Sequence, residues 1–374
     1  MKLAICSDIF EFQSNRLLNL AWSDRYPGTG WVGMLNDKIK DLGWEMASGD
    51  IALSHVNCGY WDAKDVWVIQ ELNATHGRAL ISLGARPFVL TGFESPLYAY
   101  EFYDDLSIIA PKFANRILFG GAFSLFDGTA GSNIQLFFPN FDEQNLPPLV
   151  PWIDRKQLVM VAANKYWKEP FRLPVFSNPR SYLGWLRHVW RKAVSRNRRI
   201  AISAQLHDKR LEAIEYFGLR GVLTVFGGGW QDQSRLPTRW KSRLSKLLTS
   251  LDIARCEDKV AVMSNYRFAL CFENIAYPGY VTEKIIDCFV AGVIPIYLGA
   301  PDIESLIPRD AFVDAREFID LVNLEAYLSV FDDEKAIAMI NAGRAFLSSE
   351  CGNQYSNQGF ARFVWKQVEK DCSK

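Results

Sequence analysis

The sequence predicts an α/β protein built as two Rossmann-like domains that face each other across a cleft. Three observations predict it. Short apolar runs alternate with longer periodic or polar segments along the 374 residues, as buried parallel strands alternate with helices. The alternation comes in two blocks, separated by Pro139 to Pro151 (PNFDEQNLPPLVP), a stretch with four prolines. Length agrees, since at about 150 residues per domain the chain holds two to three.

In the first block the runs 3–6 (LAIC), 51–55 (IALSH), 66–69 (VWVI), 79–84 (ALISLG) and 88–91 (FVLT) read as strands, with helices such as 32–42 between them. In the second, the runs 157–163, 200–203 (IAIS), 222–226, 268–272 and 293–298 read as strands. Helical patterns occupy 209–217, 236–251 and 282–291. The tail places Phe360, Phe363, Val364 and Val368 at helical spacing. The expected domains are 1–150, 151–350, and a C-terminal helix within 351–374 that packs back on the body. In such folds ligands bind beyond the carboxyl ends of the strands, often between domains.

Composition narrows the function. Apolar residues make up 49% and charged residues 22%, an ordinary globular balance. Lys plus Arg equals Asp plus Glu at 42 each, so no chain-wide basic surface invites nucleic acid. The 12 Trp suit carbohydrate stacking, but a core of large residues accounts for them more simply. Seven Cys without a CxxC pair, and four His without HExxH, argue against a disulfide framework and against a zinc site. The start MKLAICSDIFEF lacks the pattern of a signal peptide, and no run approaches 18 apolar residues. A cytoplasmic location is the expectation.

The most informative stretch is 268–307, FALCFENIAYPGYVTEKIIDCFVAGVIPIYLGAPDIESLI. It reads as strand, loop, helix, strand, loop. Glu273 and Asn274 fall at a strand's carboxyl end. Pro278 and Gly279 turn the chain, and Thr282 stands as helix N-cap with Glu283 and Lys284 in the first turn. A helix start attracts phosphate, Lys284 adds a full charge, and Glu283 is an acceptor suited to ribose hydroxyls. On these residues alone an ordinary βαβ unit explains the pattern equally well.

The pattern CFENxxxxxYVTEKIIDxFxxGxIPIYxGAPDI closely resembles the donor-binding signature of glycosyltransferase family 10, the α-1,3/1,4-fucosyltransferases, with the bacterial members nearest. Two further segments fit. In 200–231, Arg210 lies where the family places an arginine that contacts the nucleotide diphosphate, a contact a guanidinium makes bidentately. Gly227 to Gly229 read as a turn that permits close backbone approach, with Gly227 and Gly228 as possible donor-loop residues beside Glu273. In 87–100, the family's catalytic carboxylate falls within Glu94-Ser95-Pro96, which makes Glu94 the general base. The resemblance covers 200–310 well, 80–100 moderately and the rest poorly.

It implies a GT-B fold and inverting transfer of L-fucose from GDP-fucose to a hydroxyl of an acceptor oligosaccharide or glycolipid, as in lipopolysaccharide or surface-glycan synthesis. The implied donor site is Arg210, Asn274, Tyr280, Thr282, Glu283 and Lys284. No resident cofactor or metal is expected, and no Asp-x-Asp occurs in the chain. Two readings stand beside this one: transfer of another GDP-linked sugar, and a non-catalytic sugar- or nucleotide-binding module. A nicotinamide enzyme is disfavoured, because no GxGxxG follows the first strand of either half.

The insert 174–199 departs from the bacterial relatives. No acid occurs between Glu169 and Asp208. Leu183, Leu186, Val189, Trp190 and Val194 form a stripe at helical spacing beside Arg187, Arg191, Lys192 and Arg196. It reads either as a peripheral membrane contact through 180–199 or as a surface helix of the donor domain whose stripe packs on the core.

Overall fold

The computed structural model describes residues 1–23, 28–126, 131–142, 146–165, 186 and 189–372, apart from 233, 235, 252, 254 and 255. Two wholly parallel sheets form its frame. The first comprises β1 (Lys2–Cys6), β2 (Glu45–Ser48), β3 (Val66–Glu71), β4 (Arg86–Thr91), β5 (Asn115–Leu118) and β6 (Ser132–Gln135), in the order β2-β1-β3-β4-β5-β6. The second comprises β7 (Lys156–Val161), β8 (Leu223–Phe226), β9 (Tyr266–Phe272), β10 (Ile294–Leu298) and β11 (Val313–Asp314), in the order β11-β10-β9-β7-β8. The α/β class and the two-sheet plan thus match the sequence expectation.

Three predicted strands are helices. The run 51–55 lies in the helix Gly49–Asn57, 79–84 overlaps the helix Thr75–Ser82, and 200–203 ends the helix Arg196–Ser203. A short apolar run does not separate a strand from one face of a buried helix. What decides here is the start of each helix. The carboxylate of Asp8 accepts from Thr75 N–H at 2.8 Å and from its hydroxyl at 3.1 Å. The Ser195 hydroxyl accepts from Arg198 N–H at 3.0 Å. Asp50 lies in the first turn of the helix Gly49–Asn57 and accepts from the Ser48 hydroxyl at 2.6 Å. The short strands β2, β5 and β6 carry too few apolar residues to stand out in the sequence.

The helix Asn357–Cys372 packs back on the body, and its place is the first sheet. Phe360, Val364, Trp365 and Val368 join Trp31, Val32, Leu35 and Ile39 in one buried cluster. The rings of Trp31 and Phe360 lie 5.0 Å apart. Gly30 permits this approach: a Cβ there would meet the Asn357 side chain at 2.8 Å.

Of the insert, the described residues Arg191 and Asn197 contact the first half. Arg191 pairs with Asp105 at 2.9 Å and Asn197 donates to Asp104 at 2.8 Å, both on the helix Tyr100–Ile109. The stripe does not pack wholly on a core. Leu186, Trp190 and Val194, four residues apart, are exposed. Residues 180–185, 187 and 188, including Leu183 and Arg187, lie outside the described residues.

The loop after β9 ties the halves together. Gly121 N–H donates to Pro278 O at 2.9 Å, and Gln135 Nε2 donates to Gly279 O at 2.9 Å. Gly279 has φ +72°, and a Cβ there would stand 2.4 Å from Gly120 N. Ile275 and Tyr280 are buried in the first-sheet core. Burial of one large apolar side chain contributes about 1.5–3 kcal/mol, so this loop is held as firmly as a core element.

Candidate functional site

Both sheets reverse strand order beside their first strand. In the first sheet the crevice opens between the carboxyl ends of β1 and β3, and in the second between those of β7 and β9. Such switch points are where open α/β sheets bind ligands. Here the two contribute to a single cavity of about 450 Å³. From the first half come Ile9, Glu71, Leu72, Phe93 and Glu94. From the second come Lys165, Lys259, Asn274, Tyr280, Thr282, Glu283 and Lys284.

Six residues singled out in the sequence therefore share one space: Glu94, Asn274, Tyr280, Thr282, Glu283 and Lys284. Glu94 sits just beyond β4. Its Oε1 accepts from Ser95 N–H at 2.9 Å, and its backbone carbonyl accepts from the Tyr103 hydroxyl at 2.8 Å. Burial pushes its carboxyl above the ordinary range, although Lys165 and Lys284 pull the other way. Tyr280 is buried, and Asn274 Nδ2 donates to its hydroxyl at 3.4 Å.

The helix Glu283–Ala291 starts at Thr282 and ends at Gly292, φ +66°, as the sequence predicts. Its start is arranged differently from a simple cap. The Thr282 side chain makes no capping bond. Instead Thr282 N–H and hydroxyl both donate to Glu273 Oε1 at 2.9 Å. Lys284 Nζ donates to Glu273 Oε2 at 2.9 Å, to Thr282 Oγ1 at 2.8 Å and to Glu283 Oε1 at 3.3 Å. Glu273 is wholly buried behind the cavity wall. It fills the positive end of the helix that the sequence offers to phosphate. Burial opposes charge on Glu283, but Lys284 and Lys259 outweigh it and hold the carboxyl down at about 2. Burial likewise opposes charge on Lys284, and Glu273 and Glu283 outweigh it, so its ammonium is held above the usual range.

Arg210 does not line the cavity. Its guanidinium is buried, with Nε donating to Phe272 O at 3.1 Å and an NH2 group donating to Asn274 Oδ1 at 3.0 Å. In this structure it fixes the end of β9 and the Asn274 side chain. Gly227 and Gly228 also stand back. Gly227 has φ +133°, and a Cβ there would lie 2.2 Å from Ala162 O. Asn164 N–H donates to Gly228 O at 2.9 Å. The close approach read from the sequence is to the loop after β7.

Sequence reasoning missed Glu71, Lys165 and Lys259 in the cavity, and Tyr98 and His207 beside it. Glu71 ends the strand VWVIQE and accepts a hydrogen bond from the Ser7 hydroxyl. Burial, then the charges of Glu94 and Asp8, raise its carboxyl. An acid at a strand's carboxyl end was the available signal. Lys259 pairs with buried Asp287, four residues beyond Glu283, to which Asn140 also donates. The Tyr98 hydroxyl and His207 Nε2, 2.9 Å apart, bridge the two halves. Burial, then Arg210 and Lys165, depress the His207 imidazole to about 3. These contacts are set by folding and leave no motif. Among the described residues no three His, Cys, Asp or Glu side chains gather into a potential metal site. The described cysteines are unbridged, and no described helix is long and apolar enough to cross a membrane.

Comparison with known proteins agrees with the motif. Residues 243–339 match the profile of glycosyltransferase family 10 (fucosyltransferase), C-terminal part. The chain is 44% identical over 62 residues to the Helicobacter pylori alpha-(1,3)-fucosyltransferase FucT, 17% of this chain and 13% of that protein. It is 36% identical over 72 residues to an Arabidopsis thaliana alpha-(1,4)-fucosyltransferase, 19% of this chain and 18% of that protein. Human alpha-(1,3)-fucosyltransferase 7 is 37% identical over 79 residues, 20% and 23% of the two chains. The matches thus span less than a quarter of these relatives' lengths. Among solved structures, a glycosyltransferase from Rickettsia africae ESF-5 aligns with a TM-score of 0.57 at 11% identity, covering 99% of this chain and 97% of the other. Anabaena HepE in complex with UDP and glucose aligns with a TM-score of 0.56 at 10% identity, covering all of both chains. The fold is GT-B.

Proposed function

We propose that this chain, whose residues 243–339 match the profile of glycosyltransferase family 10, is a member of that family and transfers L-fucose from GDP-fucose to a glycan hydroxyl with inversion, giving an α-1,3 or α-1,4 linkage. The observation that carries the reading is one cavity with Glu94 on its first wall and Asn274 to Lys284 on its second. The fucosyltransferase names of the relatives support the choice of sugar.

The residues supply the chemistry as follows. The donor lies against the second wall and the acceptor enters from the first. Glu94 takes the acceptor hydroxyl proton as that oxygen bonds to the anomeric carbon. The carbon–oxygen bond to the diphosphate breaks on the opposite face, and GDP leaves with the electron pair. A carboxyl raised by burial is a stronger base than a solvated one, and a positioned base contributes about 10²–10⁴-fold. Negative charge grows on the diphosphate; Lys284 on the cavity wall stabilises it as a preorganised electrostatic contribution, and buried Arg210 adds its positive field from behind Asn274. Glu283, ionised at any working pH, accepts from ribose or sugar hydroxyls. Asn274 and Tyr280 shape the nucleotide pocket. We include in the proposal that no resident metal is needed. The acceptor is an oligosaccharide or glycolipid of a surface glycan, and the exposed stripe Leu186, Trp190 and Val194 brings the enzyme to the inner membrane face.

Thermal unfolding with GDP, GDP-fucose, UDP, ADP and NAD, each with and without EDTA, tests this. A ligand at 100 times its Kd adds about 2.7 kcal/mol. Stabilisation by the guanosine compounds alone, unaffected by EDTA, is expected. A flat panel removes the donor site. Turnover of GDP-mannose above GDP-fucose replaces the sugar. Co-sedimentation with anionic liposomes, with and without residues 180–199, tests the membrane contact, and no binding ends it.

A further inference from the structure

The lysines of the cavity are not equivalent. Lys284 is committed to Glu273 and Glu283. Lys259 is committed to Asp287. The helix start beside them is filled by the Glu273 carboxylate. A diphosphate entering this cavity meets cations whose charge is already matched, and two further glutamates, Glu71 and Glu94, across from them.

Lys165 differs. It is exposed, lines the same cavity, and among the described residues no carboxylate lies within ion-pair distance of it. It follows β7, one of the two strands whose carboxyl ends flank the second sheet's switch point; Asn274 follows the other. The residue before Lys165 is held in place. Asn164 donates through N–H to Gly228 O at 2.9 Å and through Nδ2 to Gly229 O at 3.3 Å. Its ammonium is also placed: Nζ sits over the Tyr98 ring, 5.6 Å from the centroid. The Tyr98 hydroxyl is tied to His207, and Tyr98 N–H donates to Ser95 O at 3.1 Å, in the loop that carries Glu94. An ammonium on an aromatic platform, at a switch point and with no ion-paired carboxylate among the described residues, is set to meet an anion.

We propose that Lys165 is a second phosphate-binding cation of this cleft, which grips the donor diphosphate from the β7 side while Lys284 faces it from the β9 side. The inference rests on the nucleotide-sugar reading above and adds a residue from outside the matched signature. The contact is an ammonium to a phosphate oxygen, partly solvated and therefore salt-sensitive.

The test is calorimetric binding of GDP and of inorganic pyrophosphate to the full chain and to Lys165→Met and Lys165→Arg, at low and high salt. Both variants should fold, since the side chain is exposed; unfolding midpoints equal to the parent's check this. The expected result is a loss of about tenfold or more in GDP affinity for Lys165→Met at low salt, largely restored in Lys165→Arg and narrowing as salt rises. Pyrophosphate should lose in parallel. If the parent binds GDP and Lys165→Met binds it within twofold as well, the role of Lys165 is overturned and the functional reading stands. If the parent binds no GDP, the functional reading falls and takes this inference with it.

Discussion

The two walls of the cleft carry similar residues in opposite electrostatic states. On the first wall, Glu71 and Glu94 lack a bonded cation among the described residues, and burial raises both carboxyls. On the second, Glu273 and Glu283 are bonded to Lys284, and Glu283 is held down at about 2. The difference separates roles that residue identity does not. A carboxylate without a counter-charge can take a proton; one bonded into a lysine pair is scaffold or hydroxyl acceptor. By the same logic Lys165 meets substrate with no ion-paired carboxylate among the described residues, whereas Lys284 meets it with its charge already shared with Glu273 and Glu283.

Removing the base should break this contrast most visibly. Glu94→Gln is expected to retain GDP binding and to lose about 10²–10⁴-fold in transfer, measured by kcat with calorimetric GDP binding as the control. Glu71→Gln, on the same wall, should cost less than tenfold. The reverse ranking would move the base to Glu71. On the opposite wall the larger effect should be on stability. Glu273→Ala leaves Lys284 without its buried partner and the start of the helix without its acceptor. Breaking a buried pair costs about 3–5 kcal/mol, read by denaturant unfolding. A loss below about 1 kcal/mol would show that the pair does not hold the helix start.

The contrast was only half legible in the sequence. The second wall is written in one short stretch: Glu273-Asn274 ends a strand, Thr282-Glu283-Lys284 opens the next helix, and the family resemblance marks them as one site. Glu94 was found through its resemblance, because an acid in a loop carries little local signal. Glu71, Lys165 and Lys259 come from separate strands and a short helix, and only the parallel order of both sheets brings them to one cavity. The strand misreadings at 51–55, 79–84 and 200–203 share one cause. Side chains distant in sequence or just outside the run, Asp8 above all, start the helices there. The contacts of Arg191, Asn197 and the tail helix with the first half are likewise long-range.

Acid stability should sharpen the comparison further, because the walls contribute with opposite sign. Glu283, with its folded pKa held at about 2 against an ordinary 4.5, stabilises the fold above pH 4.5 and loses that contribution as pH falls through 2. Glu94 is raised, so its contribution is fully present below pH 4.5 and disappears as pH rises through the folded value. Unfolding free energies from pH 2 to 7 should therefore show a shallower acid-side fall in Glu283→Gln and a steeper one in Glu94→Gln. Equal slopes would mean that the two carboxyls sit in like surroundings.

The smallest effect is expected where the walls touch. With His207 depressed to about 3 and Tyr98 raised to about 12, both groups are neutral through the working range. Their hydrogen bond is then a neutral one that contributes about 1 kcal/mol. Tyr98→Phe removes the hydroxyl and keeps the ring beneath Lys165. Stability should fall by about that amount, equally at pH 5 and pH 9, with GDP affinity unchanged. A pH-dependent loss would mean that one partner is charged. A loss of GDP affinity would mean that the platform beneath Lys165 depends on this bond and that the two walls are coupled through it.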